Sequence, residues 1–204
     1  MDPLARMVDA QIRARGVRDP RVLDVMAEVP RERFLPEDVR HEAYGDHPVP
    51  IGLGQTISQP YIVGYMTEAL RLEPSHRVLE IGTGCGYQTA ILAKLSREVY
   101  SIELVPELAE RAARTLESLG YFNVHVRAGD GYEGWPEHAP YDRVIGAAAA
   151  DAVPPALVDQ LVDGGILVLP IGTFTQELRV LQKHGTAMQL LATLPVLFVP
   201  MIKR

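Results

Sequence analysis

The chain from about residue 77 onward alternates short apolar runs with stretches of helical periodicity. Runs of strand length and composition recur at Arg77–Ile81, Glu98–Glu103, Asn123–Gly129, Tyr141–Ala149 and Gly164–Gly172. Helical stretches follow three of them, at Gln88–Leu95, Pro106–Gly120 and Pro154–Leu161. Strands separated by helices form βαβ units, whose strands are parallel and whose crossovers are right-handed. The pattern therefore predicts an α/β fold with a doubly wound, mostly parallel sheet.

The two ends of the chain follow other patterns. Two β-rich runs, Gln176–Lys183 and Gln189–Pro200, have no helix of length between them, which predicts an antiparallel hairpin at one edge of the sheet. The first 40 residues predict a helical extension, with one amphipathic helix over Asp2–Arg15 and a second over Arg21–Val29 behind an Asp19 cap.

Residues 41–60 are rich in glycine and proline and predict a long irregular loop. Long ordered loops in compact domains tend to be functional. The next helix is predicted over Tyr61–Leu70, with Ser58 placed to cap its start. We expect one domain over residues 1–204: an extension with a functional loop (1–60), a ligand-binding core (61–175) and the hairpin (176–204).

Composition narrows the function classes. The chain has 204 residues, 47% of them apolar and 23% charged, which is typical of a globular protein. One cysteine excludes an internal disulfide, and six histidines without ligand spacing argue against a metal. A net charge of -6 argues against broad nucleic-acid binding. No apolar stretch approaches the about 18 residues of a membrane span, and the charged start is unlike a signal peptide, so we expect a cytoplasmic protein.

Unusual residues follow three predicted strands. The first strand runs into Gly82-Thr83-Gly84-Cys85-Gly86 and then a helix, a turn in which backbone N–H groups can approach a ligand closely. Glu103 ends the second strand, where a carboxylate can accept hydrogen bonds from ribose hydroxyls. Asp130 and Gly131 follow the third strand, where they could meet an adenine ring. Together they predict a nucleoside ligand at the carboxyl ends of the strands.

The glycine spacing favours S-adenosylmethionine over NAD. The dinucleotide fingerprint is G-x-G-x-x-G/A, whereas this turn is G-x-G-x-G with Tyr87 at the expected third glycine. Residues 82–92 contain no basic side chain to help bind a pyrophosphate. Glu80, just before the turn, would repel phosphate but favour the ammonium and sulfonium groups of S-adenosylmethionine.

Four segments resemble the protein-L-isoaspartate O-methyltransferases. They are VLEIGTGCGYQTAILA (78–93), GDGYEGWPEHAPYD (129–142), IGLGQTISQPYIVGYM (51–66) and GGILVLPIG (164–172), and the likeness runs from about Phe34 to Pro200. The glycine turn alone indicates only a class I methyltransferase; the GQTISQPYIV stretch is the specific part. The resemblance implies a Rossmann-like methyltransferase fold and methyl transfer from S-adenosylmethionine to the α-carboxylate of L-isoaspartyl residues in damaged proteins and peptides. S-adenosylhomocysteine is the implied product, and the ester then closes to a succinimide.

The resemblance also implies residue roles. Ser58 would be the active-site residue on a loop over the methyl donor, and Val196, Phe198, Val199 and Pro200 would lie beside the substrate backbone. The cofactor residues would be Gln55, Thr56, Ile57, Ser58 and Glu80, Gly82, Thr83 and Gly84 at the methionine part, Glu103 at the ribose, and Asp130 and Gly131 at the adenine.

A carboxylate that accepts the methyl group does not require a base beside the active-site Ser58. A carboxylate with a pKa of about 4 is already ionised at neutral pH, so it needs no general base. Ser58 would orient it by a hydrogen bond rather than act as a nucleophile, or it could serve only as a helix cap. The glycine-containing 45–60 loop would be a lid that excludes water.

Three alternatives stay open from the residues alone. A class I methyltransferase could act on another carboxylate or a small molecule, and a non-catalytic module could bind S-adenosylmethionine and signal through a partner. A dehydrogenase is the third, and it would bind NAD. We expect a monomeric repair enzyme whose partners are damaged proteins, with no metal, no nucleic acid and no membrane.

Overall fold

The computed structural model describes residues 2–203; Met1 and Arg204, the ends of the predicted domain, lie outside the described residues. The α-helices are α1 (Pro3–Met7), α2 (Pro20–Glu28), α3 (Pro60–Ala69), α4 (Tyr87–Leu95), α5 (Pro106–Ser118) and α6 (Pro155–Asp159). The strands are β1 (Val49–Gly52), β2 (Gln55–Ile57), β3 (Arg77–Ile81), β4 (Glu98–Glu103), β5 (Val124–Ala128), β6 (Tyr141–Gly146), β7 (Leu161–Ile171), β8 (Gln176–His184) and β9 (Ala187–Val196).

Seven strands form the main sheet in the order β5-β4-β3-β6-β7-β8-β9. Strands β3 to β7 pair in parallel, whereas β7–β8 and β8–β9 pair antiparallel. The predicted α/β class, the mostly parallel sheet and the C-terminal hairpin are confirmed. The inner strands are buried on both faces, which is why they appear in the sequence as continuous apolar runs.

The order in which successive strands join the sheet reverses between β3 and β6. The chain steps outward from β3 through β4 to β5, then returns to pair β6 on the other side of β3. Beyond the ends of these strands, Gly82 N donates to Ile102 O and Ala147 N donates to Ile81 O, each at 2.8 Å. Ligands of such sheets bind at this reversal, outside the carboxyl ends of the strands.

The N-terminal helices pack against α3, the helix that follows the Ser58 loop. The helical turns of residues 3–15 end at Gly16, and α2 begins after Asp19, whose Oδ1 accepts from Arg21 N at 2.9 Å, as predicted. A Cβ on Gly64 of α3 would lie 2.7 Å from Ile12 Cγ2. This close approach joins the extension to the wall of the site.

The 41–60 segment differs from its prediction as an irregular loop. It contains the antiparallel hairpin β1–β2, in which Val49 and Ile51 are fully buried. The connecting residues Leu53 and Gly54 both have positive φ, 55° and 73°. The hairpin was not predicted because Leu-Gly lacks the asparagine or aspartate that marks such turns in sequence.

Several other element boundaries differ from their predictions. The residue before α3 is Gln59, not Ser58, and no side chain caps the helix; Pro60 at its start needs no N–H partner. Strand β7 begins at Leu161 rather than Gly164, because Tyr141 of β6 pairs with Leu161 before a bulge. Helix α6 therefore ends at Asp159.

Candidate active site

A cavity of about 710 Å³ lies at the carboxyl ends of β3, β4 and β6. Its walls come from the Ser58 loop, the turns after these strands, and the end of β9 with the segment that follows it. From the predicted site, the lining residues are Gln55, Thr56, Ser58, Gly82, Gly84, Glu103, Gly131, Val196, Phe198, Val199 and Pro200. The structure thus brings together residues predicted from five separate stretches of sequence.

The glycine turn after β3 forms one wall. Gly82 and Gly84 have φ values of 92° and 55°, which side-chain-bearing residues rarely adopt. Gly131 packs directly against the last residue of β3: a Cβ there would lie 2.3 Å from Ile81 Cγ2. Glycine at these positions lets the backbone bend and pack where a ligand would meet it.

Glu103 ties two of these turns together. Its buried carboxylate accepts from Gly84 N through Oε2 at 2.8 Å and from Val105 N through Oε1 at 3.0 Å. A carboxylate has about four lone-pair positions, so each oxygen keeps one for a further donor. Glu103 can therefore accept two hydroxyl groups from a ligand in the cavity.

Glu80 does not line the large cavity. It faces an adjoining cavity of about 50 Å³ beneath the glycine turn, which Ile57 and Thr83 also line. Its Oε2 accepts from Thr89 Oγ1 at 2.5 Å and Ser101 Oγ at 2.6 Å, while Oε1 has no partner within residues 2–203. The sequence predicted a carboxylate beside the cofactor; the hydroxyl partners could not be predicted.

Burial has the largest effect on the pKa of Glu80. Desolvation raises its pKa to about 7, helped by the nearby charge of Glu103 and opposed by the hydrogen bonds from Ser101 and Thr89. Near neutral pH the carboxyl is therefore poised between its two forms. A cationic group in the adjoining space would favour the ionised form.

Ser58 lies half-buried at a second wall of the cavity, beyond the end of β2. Its hydroxyl makes no hydrogen bond within the described part of the chain, so it is free to meet a ligand. Its carbonyl accepts from Arg31 Nη2 at 2.8 Å, and Arg31 Nε donates to Ala43 O at 2.8 Å. Arg31 thus joins the two ends of the segment that carries β1 and β2.

Arg31 was missed at the sequence level. Its side chain is completely buried, with the guanidinium 5.0 Å from the Tyr87 ring centroid, and burial lowers its pKa. The only signal was its position between the apolar residues Val29 and Phe34, both buried. Position alone does not distinguish such an arginine from a surface one.

Asp130 and Gly131 turn the chain after β5. Gly131 lines the cavity, and Asp130 lies next to it with Oδ1 accepting from Tyr132 N at 2.8 Å. The aspartate therefore orders the turn that brings Gly131 to the cavity.

The fourth wall is an extended segment, residues 194–202. Val199 O accepts from Ala149 N at 2.8 Å, and Met201 N donates to Ala149 O at 2.7 Å. Most of its side chains are apolar. This wall and the Ser58 loop line the same cavity. The wall is long enough for several residues of an extended peptide.

Charged side chains are few at the cavity. Among the described lining residues, Arg15 is the one lysine or arginine and Glu103 the one carboxylate. Arg15 stacks 3.8 Å from the Tyr61 ring centroid and pairs with Asp46 at 3.4 Å. The interior is mainly apolar, which strengthens electrostatic interactions inside it.

Residues 2–203 contain neither a clustered metal site nor a membrane-spanning helix. No group of three or more His, Cys, Asp or Glu side chains there is placed to hold a metal ion. None of the helices in that range has both the length and the apolar character to cross a membrane.

Sequence comparisons converge on one family. Residues 4–204 match the family model for protein-L-isoaspartate(D-aspartate) O-methyltransferase. The chain is 56% identical over 196 residues to a protein-L-isoaspartate O-methyltransferase of Picosynechococcus sp., covering 96% of this chain and 88% of the relative. It is 53% identical over 199 residues to the Gloeobacter violaceus enzyme of the same name, covering 97% of each.

Solved structures agree with the sequence relatives. A protein-L-isoaspartate O-methyltransferase superposes with a TM-score of 0.88 at 30% identity, over 96% of this chain and 64% of the other. A Plasmodium falciparum protein described as a putative member, solved with S-adenosyl-L-homocysteine, superposes with a TM-score of 0.86 at 26% identity over the whole of both chains. With a family model over nearly its full length and relatives above half identity, the chain belongs to the protein-L-isoaspartate(D-aspartate) O-methyltransferase family.

Proposed function

We propose that this chain transfers a methyl group from S-adenosylmethionine to the α-carboxylate of L-isoaspartyl residues in damaged proteins and peptides, in the large cavity. One observation carries the proposal: a free serine hydroxyl, a carboxylate with spare lone pairs and an extended wall line one cavity. The product would be S-adenosylhomocysteine, and the methyl ester would close to a succinimide.

The residues fit this cofactor. Glu103 has acceptor positions for both ribose hydroxyls, and Glu80 has an unpartnered oxygen in a buried site that favours a cation. When bound, S-adenosylmethionine supplies an electrophilic methyl group on a positively charged sulfur. The residues that would hold it are Gln55, Thr56, Ile57, Ser58, Glu80, Gly82, Thr83, Gly84, Glu103, Asp130 and Gly131.

The acceptor would lie between Ser58 and the extended wall. Its carboxylate is ionised at neutral pH, so no proton has to be removed. Ser58 Oγ would donate a hydrogen bond that turns one carboxylate oxygen toward the methyl group. Because the reaction neutralises two opposite charges, water opposes it, and the apolar walls favour it by keeping water out. Val196, Phe198, Val199 and Pro200 would flank the peptide backbone.

We also propose a cytoplasmic monomer that binds neither nucleic acid nor membranes. One copy of the chain is sufficient to form the cavity, whose lining residues lie between Arg15 and Ile202. A net charge of -6 does not favour a phosphate backbone as partner.

Replacing Ser58 with alanine tests its role. Losing a hydrogen bond to a charged acceptor should lower the methylation rate of an isoaspartyl peptide about 10- to 100-fold. The affinity for S-adenosylmethionine, measured by calorimetry, should stay within about twofold because the alanine retains the backbone. Ser58→Thr keeps the hydroxyl and should retain most of the activity. An alanine variant as fast as the wild type would remove the serine from the mechanism.

A further inference from the structure

Gln176 makes an unusual pair of contacts at the base of the cavity wall. It is the first residue of β8 and is 9% exposed. Its Oε1 accepts from Phe198 N at 2.6 Å, and its Nε2 donates to Phe198 O at 3.1 Å. Both hydrogen bonds reach the backbone of one residue, so the carboxamide takes the place of a peptide group on a neighbouring strand.

These contacts extend the sheet beyond its last paired residue. In the β8–β9 ladder, Gln176 pairs with Val196, where β9 ends. The side chain then reaches two residues further to hold Phe198. The next residues are held by Ala149, which forms backbone hydrogen bonds with Val199 and Met201. The segment after β9 is therefore held straight by two anchors, one of them a single side chain.

The segment keeps backbone groups free between the end of β9 and its first anchor at Phe198. β9 is the edge strand of the sheet, and Leu197 N–H and C=O make no hydrogen bond within residues 2–203. The Leu197 side chain is 85% exposed. An unpaired, extended edge is the surface to which a peptide can add as a further strand.

We propose that Gln176 is a positioning residue for the acceptor peptide: by holding the Phe198 backbone, it presents the 196–200 edge in the form that the peptide binds. This inference rests on the proposed function, in which that edge flanks the substrate. Gln176 contacts the wall formed by residues 194–202. Glu103 and the glycine turn, which would hold the cofactor, lie on other walls, so Gln176 should not affect cofactor binding.

Replacing Gln176 with leucine tests the proposal. Two lost hydrogen bonds should raise the KM for an isoaspartyl peptide about tenfold, because the peptide must then order the edge as it binds. The kcat at saturating peptide should stay within about threefold, and the S-adenosylmethionine Kd within about twofold. Gln176→Glu keeps the acceptor for Phe198 N but loses the donor, and its KM should lie between the two.

Gln182→Leu is the matched control. Gln182 lies on the same strand, away from the cavity, and donates to Gly164 O at 3.1 Å. Its variant should keep the wild-type KM at a similar melting temperature. A Gln176→Leu enzyme with the wild-type KM would overturn the inference. A rise in KM with matching falls in kcat, cofactor affinity and melting temperature would also overturn it, since these changes together indicate a merely structural role.

Hydrogen exchange tests, independently of activity, whether Gln176 orders residues 194–202. In Gln176→Leu, amide exchange over residues 194–202 should become at least about tenfold faster, while exchange over β3 and β4 stays unchanged. Unchanged exchange over 194–202 would overturn the positioning role. A wild-type enzyme that fails to methylate the peptide would instead overturn the proposed function, and the exchange result would still stand.

Discussion

Replacing Arg31 with methionine should lower the free energy of unfolding by about 3–5 kcal/mol. The change leaves the carbonyls of Ala43 and Ser58 without their charged donor. Both bonds cross the base of the segment that carries β1 and β2, so the whole segment loses its anchor. Methionine fills most of the volume, which limits any cavity effect. Denaturant unfolding monitored by circular dichroism measures the change.

An exposed arginine in the same turn provides the control. Arg33 lies two residues from Arg31 and is exposed, so Arg33→Met should change the stability by less than about 0.5 kcal/mol. Arg31→Lys keeps the charge but not the two-pronged geometry and should be intermediate. An Arg31→Met protein within about 1 kcal/mol of the wild type would show that Arg31 does not anchor the segment.

Replacing Glu103 with alanine should weaken S-adenosylmethionine binding about 100-fold. The carboxylate does two things that alanine cannot: it holds Gly84 N and Val105 N in place, and it offers its remaining lone pairs to the ligand. Each charged hydrogen bond is worth about 1.5–3 kcal/mol, so losing the ligand's bonds alone gives an effect of this size. Calorimetry with S-adenosylhomocysteine, which is not consumed, measures it.

Two variants separate the carboxylate from general damage. Glu103→Gln can accept through one oxygen only and turns an amide N–H toward a backbone N–H, so its loss of affinity should be smaller than that of alanine. Glu107→Ala changes an exposed carboxylate at the start of α5 and should bind as the wild type does. If Glu103→Ala binds within about threefold of the wild type, the ribose site lies elsewhere.

Short sequence patterns, such as apolar runs and helix caps, predicted the strands and helices whose formation depends mainly on those residues. The apolar runs of β3, β4 and β6 gave the parallel sheet, because strands buried on both faces need uninterrupted apolar residues. Asp19 before Pro20 marked the start of α2. The β1–β2 hairpin was missed because its stability comes from burying Val49 and Ile51 against distant parts of the chain, and its turn residues carry no signature.

The same distinction applies to the site. Glu103 and the glycine turn could be predicted, because the ends of parallel strands meet at one edge of the sheet. Arg31 and Gln176 could not: their partners Ser58 and Phe198 are 27 and 22 residues away along the chain. Glu80 was predicted as a residue at the cofactor. Its roles in the hydroxyl network and the smaller cavity emerged only from the β3–β4 register, which pairs it with Ser101, and from the packing of α4 on the sheet.

Transfer of labelled methyl groups from S-adenosylmethionine to two matched peptides tests the central claim most directly. One peptide carries L-isoaspartate and the other normal aspartate at the same position. We predict base-labile label on the isoaspartyl peptide alone, since only there does the α-carboxylate extend from the backbone as a free acceptor. No label on either peptide, with cofactor binding verified by calorimetry, or equal label on both, would contradict the proposed reaction.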